Sequence, residues 1–191
     1  MKKNDVIAVR IKSIANGELV EDAEKIIPVG RNYLHKSLEE SFLKHNIGDN
    51  YKIELNVKEA YGPRVRELIK MIPTRYFKEN NVMPVKGLVI NVDGIMGKVI
   101  SASSGRIMVD FNHPLSGKDV TYDVKILSEV TDDAKKASAI IYSLINEQLA
   151  VTKEGNELHI KDELGMPKEV KDALTKEIKE IIPDGIIKFI S

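Results

Sequence analysis

The chain has 191 residues, with 29 Lys plus Arg against 29 Asp plus Glu, so its formal net charge is zero. A balanced chain carries no global field to hold polyanions, which argues against nucleic acid as a main partner. Cysteine and tryptophan are both absent, which excludes disulfides, thiolate metal sites and cysteine nucleophiles.

Near the start, Ile7, Val9 and Ile11 alternate with Ala8, Arg10 and Lys12, the period of a half-buried strand. Asn16-Gly17 marks the turn after it, and residues 26–29 read as a short second strand. Ser37-Leu38-Glu39-Glu40 fits an S-x-x-E capping box. Leu38, Phe42 and Leu43 then share one helical face, and Gly48-Asp49 stops the helix. Tyr51, Ile53, Leu55 and Val57 alternate as a further strand. From residue 62 to 86 the character changes: six basic residues stand against two acidic ones, and Pro63, Pro73 and Pro84 cut the segment into short pieces. Strands follow over 88–92, 98–102 and 106–111, with turns at Asp93-Gly94 and Ser104-Gly105 between them. A loop over 112–117 leads to a long strand over 120–130.

Thr131 is placed to cap a helix, with Asp132 and Asp133 in its first turn. Ala134, Ala137, Ile140, Ile141, Leu144 and Ile145 recur at helical spacing. Two strands flank the turn Glu154-Gly155-Asn156. Pro167 opens a second helix, Pro183-Asp184-Gly185 ends it, and a closing strand runs over 186–190. Residues 131–191 thus read α-β-β-α-β, a unit expected to fold by itself.

The four histidines, His35, His45, His113 and His159, show no ligand spacing and no accompanying acidic cluster, so no metal or other cofactor is expected. No nucleophile elbow, P-loop or dinucleotide fingerprint occurs. No run reaches the roughly 20 apolar residues that span a bilayer, so a cytoplasmic protein without a membrane partner is expected. Met71, Met83, Met96 and Met108, four of the six methionines, fall close together. They read either as a surface that accepts varied side chains or as the filling of a small core.

Two segments, 29–61 and 109–126, carry a more specific signal. LEESFLKHNIGD is similar to the short helix, with its following glycine, of the FKBP family of peptidyl-prolyl isomerases. EAYG is similar to that family's tyrosine-containing loop. The second segment, VDFNHPLSGKDVTYDVKI, resembles the closing strand of the SlyD-like branch, with the N-H-x-L-x-G loop before it. Residues 66–117 stand where a plain member has a short flap, and the tail resembles long-type archaeal members. The resemblance implies an α+β fold in which a twisted antiparallel sheet wraps around one short helix. The isomerase domain would occupy 1–65 and 118–130, a small β-rich insert-in-flap chaperone domain 66–117, and a C-terminal α/β domain 131–191. It implies prolyl isomerisation and chaperoning of unfolded or proline-containing polypeptides, with no cofactor.

Carried over residue by residue, Tyr61 matches the tyrosine that hydrogen-bonds the substrate, and Tyr122 the aromatic of the closing strand. Leu34 matches an aliphatic wall and Leu38 the pocket floor. Five positions depart from the family pattern. Ile11 stands for a first-strand tyrosine, Val20-Glu21 for a Phe-Asp pair, His35 for an isoleucine whose backbone meets the substrate, and Ser37 for a glycine. Less apolar contact and a displaced carboxylate imply weakened catalysis; the alternative is a polypeptide-binding holdase without isomerase activity. On pattern alone, Tyr61 is a surface-loop tyrosine and Tyr122 an inward strand residue.

Overall fold

Period-two alternation builds the first sheet. β1 (Val6–Ala15) buries Ile7, Val9 and Ile11 on one face. Asn16 and Gly17, at φ 49° and 81°, turn the chain into β2 (Glu18–Pro28), which runs antiparallel to β1. β2 is far longer than residues 26–29. Its first part is rich in Glu, Asp and Lys and shows no apolar period, because none of residues 18–25 is fully buried: Glu21, Ala23 and Lys25 are half-buried and the others exposed. α1 (Lys36–Phe42) buries Leu38 and Phe42, and β3 (Asn50–Leu55) follows it. The computed structural model describes residues 1–103 and 105–190. The chain divides into two compact units, Met1–Glu54 with Thr121–Ser191, and Leu55–Val120.

Within the second unit, a 3-10 turn at Arg66–Leu68 leads into β4 (Ile69–Pro73), α2 (Thr74–Glu79), β5 (Val89–Val92), β6 (Ile95–Ser103) and β7 (Arg106–Asp110). These strands form an antiparallel sheet in the order β4-β7-β6-β5. Phe77 of α2 packs with Ile90, Val99, Ile107 and Val109 as the core. β4 and α2 lie in the stretch that the prolines were expected to fragment. Pro73 instead sits at the N-cap of α2, where its missing N–H costs nothing. Of the expected turn at Ser104-Gly105, Ser104 lies outside the described residues, as does Ser191 at the chain end. The segment begins and ends at one place. Phe111 N–H donates to the Leu68 carbonyl at 3.0 Å, and Gly117 N–H to the Gly62 carbonyl at 2.8 Å.

β8 (Val120–Glu129) joins the first sheet, whose order is β2-β1-β8-β3. The rest of the first unit is α3 (Asp133–Ile145), β9 (Val151–Glu154), β10 (Glu157–Lys161), α4 (Lys168–Ile181) and β11 (Ile186–Ile190). β10 lies between β9, antiparallel to it, and β11, parallel to it. Ile140 and Ile141 of α3, Leu158 and Ile160 of β10, and Leu174 and Ile178 of α4 share one core. α3 is capped by Asp132 rather than Thr131: the Asp132 carboxylate accepts the Lys135 N–H at 2.7 Å. A carboxylate there also meets the positive end of the helix dipole, which a threonine hydroxyl does not match. Among the described residues, no helix is long and apolar enough to cross a membrane.

Candidate functional site

In the first unit the site is built on the loop between β2 and α1. This loop carries Leu34 and His35, and Asn32 within it is held at φ 60°. Glu39 of α1 is 3% exposed. Its Oε2 accepts the Asn32 N–H and its Oε1 the Leu34 N–H, both at 2.8 Å. A buried carboxylate is tolerable only with such donors, and these two fix the loop backbone. The capping box does not form. The helix begins at Lys36 with His35 at its N-cap, and no side chain caps it. Ser37 therefore falls inside the first turn, and Glu39 reaches back to the loop.

A second brace comes from α4. The Arg31 side chain, 12% exposed, donates from Nη2 to Glu177 Oε2 at 2.9 Å. Tyr33 OH donates to the same oxygen at 3.4 Å. Burial raises the Tyr33 phenol pKa, and the Glu177 charge adds to the rise while Arg31 opposes it. Sequence reasoning missed Arg31, Tyr33 and Glu177. It assigned Glu39 only to a cap.

Glu21 and Leu34 line one groove of about 900 Å³. The Glu21 carboxylate is paired with Lys25 at 2.8 Å. Val20 is 47% exposed on β2. Ile11 is buried in β1 opposite Ala23. Leu38 on α1 and Tyr122 on β8 are buried as well. His35 is half-buried, and its carbonyl accepts the Leu38 and Glu39 N–H groups at 2.9 and 3.1 Å.

Tyr61 belongs to the second unit. Its ring stacks on His113, with centroids 4.1 Å apart and planes 3° from parallel. Its carbonyl accepts the Ser116 hydroxyl at 3.1 Å. The Asn112 side chain accepts the Val65 N–H at 2.8 Å and donates to the Val65 carbonyl at 3.0 Å. The buried Asp110 pairs with Arg64. The N-H-P-L-S-G loop thus supports the tyrosine.

Burial lowers the His113 imidazole pKa from its ordinary 6.5. On acidification the unfolded state therefore takes up a proton first. The contribution of neutral His113 is complete above pH 6.5 and is lost as the pH falls toward the lowered value. An NMR titration of the His113 ring should give a midpoint below that of a free imidazole, with the Tyr61 ring signals shifting in the same step. A midpoint at or above 6.5 would contradict the burial of this ring.

The second unit also leaves Met71, Met83, Val85, Val89, Ile95 and Met96 exposed, Met83 to 80%. Met108 stands opposite Met71 in the β4–β7 register. These side chains lie outside the core cluster of Phe77, Ile90, Val99, Ile107 and Val109.

Residues 70–115 match the family model described as FKBP26, IF domain. A short-type peptidyl-prolyl cis-trans isomerase of Methanocaldococcus jannaschii is 30% identical over 98 residues, which is 51% of this chain and 62% of that protein. An FKBP-type peptidyl-prolyl cis-trans isomerase SlyD of Helicobacter pylori is 30% identical over 115 residues, 58% of this chain and 62% of the relative. A probable FKBP-type 16 kDa peptidyl-prolyl cis-trans isomerase of Pseudomonas fluorescens is 25% identical over 123 residues, 60% and 81% of the two chains. The chain thus spans 62% of the length of the first two relatives, a little under two thirds.

Proposed function

Because the chain belongs to the FKBP family, in its SlyD-like form, we propose that it isomerises peptidyl-prolyl bonds in unfolded polypeptides and holds those chains while it does so. The observation that carries this reading is the insert match over residues 70–115, set within a chain whose relatives are named as isomerases. We assign the insert to 66–117, the isomerase domain to 1–65 and 118–130, and the tail to 131–191. With such a tail the chain fits the long-type archaeal branch. Unfolded chains emerge in the cytoplasm, where this reading places the protein.

The chemistry needs no nucleophile. Amide rotation crosses a barrier of about 18–20 kcal/mol because twisting destroys resonance. The twisted state is less polar than the planar one, so an apolar, water-poor surface favours it by differential binding. In this reading Leu34 and Tyr122 are apolar walls and Leu38 is the floor. The His35 backbone orients the substrate, and the Tyr61 hydroxyl keeps the role that the family resemblance assigns it.

Catalysis is proposed to be weak. Val20 offers a small, outward side chain where an aromatic would give contact, and Lys25 holds the Glu21 carboxylate in an ion pair. The same two observations favour the second reading, a holdase without isomerase activity. A protease-free isomerisation assay on a proline tetrapeptide separates them. A measurable rate supports the enzyme, and a rate equal to buffer supports the holdase. The double variant Val20→Phe with Glu21→Asp should raise kcat/KM by about threefold or more, an apolar contact being worth roughly 1 kcal/mol. Adding Ile11→Tyr should not help. That side chain is buried in the sheet, and overpacking costs about 1–3 kcal/mol.

A further inference from the structure

The groove that Glu21 and Leu34 share lies between β2 and α3. Six of the seven residues from 21 to 27 line it, all but Asp22. Successive strand residues point to opposite faces. A wall to which Ala23, Glu24, Lys25, Ile26 and Ile27 all contribute is therefore the strand's edge. β2 ends the sheet order, with β1 on one side only. Such an edge presents N–H and C=O groups that an extended polypeptide satisfies as an added strand. Over seven residues it measures about 23 Å at about 3.3 Å per residue.

The facing wall of α3 suits a strand. Ser138 and Ala139 are small and leave room, and Tyr142 is half exposed and offers a ring to pack on. Glu21 and Glu24 are matched by Lys25 and Lys135 in the lining, so the groove carries no net charge to select for sequence. Backbone recognition with a neutral lining fits a chain of arbitrary sequence. Leu34, an apolar wall of the proposed prolyl site, is also part of this groove.

We infer that the groove binds an extended segment of the client polypeptide, next to the prolyl bond being turned, as a strand added to β2; its continuity with the prolyl site rests on the isomerase reading. The C-terminal domain then supplies one wall of the client site.

The absence of cysteine makes a direct test available on the full chain. Single variants Ser143→Cys, in the groove, and Lys179→Cys, exposed on α4, are mixed with an unstructured 12-residue peptide. The peptide has a central proline and a thiopyridyl-activated cysteine at one end. Rates are normalised to a small thiopyridyl cysteine amide. Ser143→Cys should form the mixed disulfide at least tenfold faster than Lys179→Cys. Excess unlabelled peptide should suppress the difference, and so should Ala139→Trp, which fills the groove. Equal normalised rates at the two positions would overturn the inference. So would a slow Ser143→Cys reaction that recovers on dilution to monomer, because a second copy would then be the occupant. If Ala139→Trp misfolds, competition by the unlabelled peptide still decides. Wild-type turnover of a tetrapeptide is measured separately. Turnover with equal disulfide rates sinks the groove alone, and selective disulfide formation without turnover sinks the isomerase reading alone.

Discussion

Replacing Glu39 with alanine should lower unfolding stability by about 3 kcal/mol and kcat/KM on a prolyl peptide at least tenfold. The carboxylate accepts two backbone N–H groups of the loop that carries Leu34 and His35. Hydrogen bonds to a charged group contribute about 1.5–3 kcal/mol each, against a total stability of about 5–15 kcal/mol for a domain. On the isomerase reading, activity falls for a different reason: if this loop positions the substrate, a displacement of about 1 Å costs about a hundredfold. Glu39→Gln keeps one acceptor but turns an NH2 toward the other N–H, so it should recover about half the stability loss. Urea titration at fixed pH and the tetrapeptide assay measure the two effects. A Glu39→Ala protein within 1 kcal/mol of wild type would show that the loop does not depend on this carboxylate.

Replacing residues 69–110 with a two-residue turn should abolish suppression of client aggregation and slow refolding of a proline-limited protein at least tenfold. Rates on a tetrapeptide should stay within about threefold. Tethering a client raises the local concentration of its prolyl bonds, an effect worth about 10²–10⁴, and a tetrapeptide is too short to gain from it. The cut is placed by the structure. Ile69 and Asp110 are cross-strand partners, and Phe111 N–H already meets the Leu68 carbonyl. The shortened chain keeps Tyr61, His113 and the Asn112 clasp on Val65. Met71, Met83, Ile95 and Met96, all exposed, are removed. Unchanged client refolding by a folded variant would show that the insert captures nothing.

Local periodicity made some elements legible and left others hidden for physical reasons. β1, β8, α3 and α4 bury one face each, and a buried face writes its period into the sequence. Most of β2 fully buries no residue, so its acidic residues concealed a strand. β4 and α2 lay under prolines that begin and end elements rather than break them. The Glu39 motif was visible but had two readings, a cap or a loop support, and only the helix start at Lys36 distinguishes them. Arg31 and Glu177 meet across 146 positions of sequence. No local pattern reports a pair that long-range packing creates. The Tyr61–His113 stack is hidden for the same reason.

The hydrogen bond from Gly117 to Gly62 has a kinetic consequence. β3 ends at Leu55 and its sheet neighbour β8 begins at Val120, so the pairing must wait for a long excursion of chain to return. Closure entropy grows only logarithmically, by about 0.6 kcal/mol per doubling, but the wait lengthens with the separation of the pairing strands. Once the excursion has folded and drawn Gly62 to Gly117, only short arms remain to be closed. The expected order of events has the interruption maturing first and delivering β8 to β3. A lesion inside it, such as a Cβ at Gly97, which would lie 2.6 Å from a Val109 methyl, delays a sheet that it does not belong to.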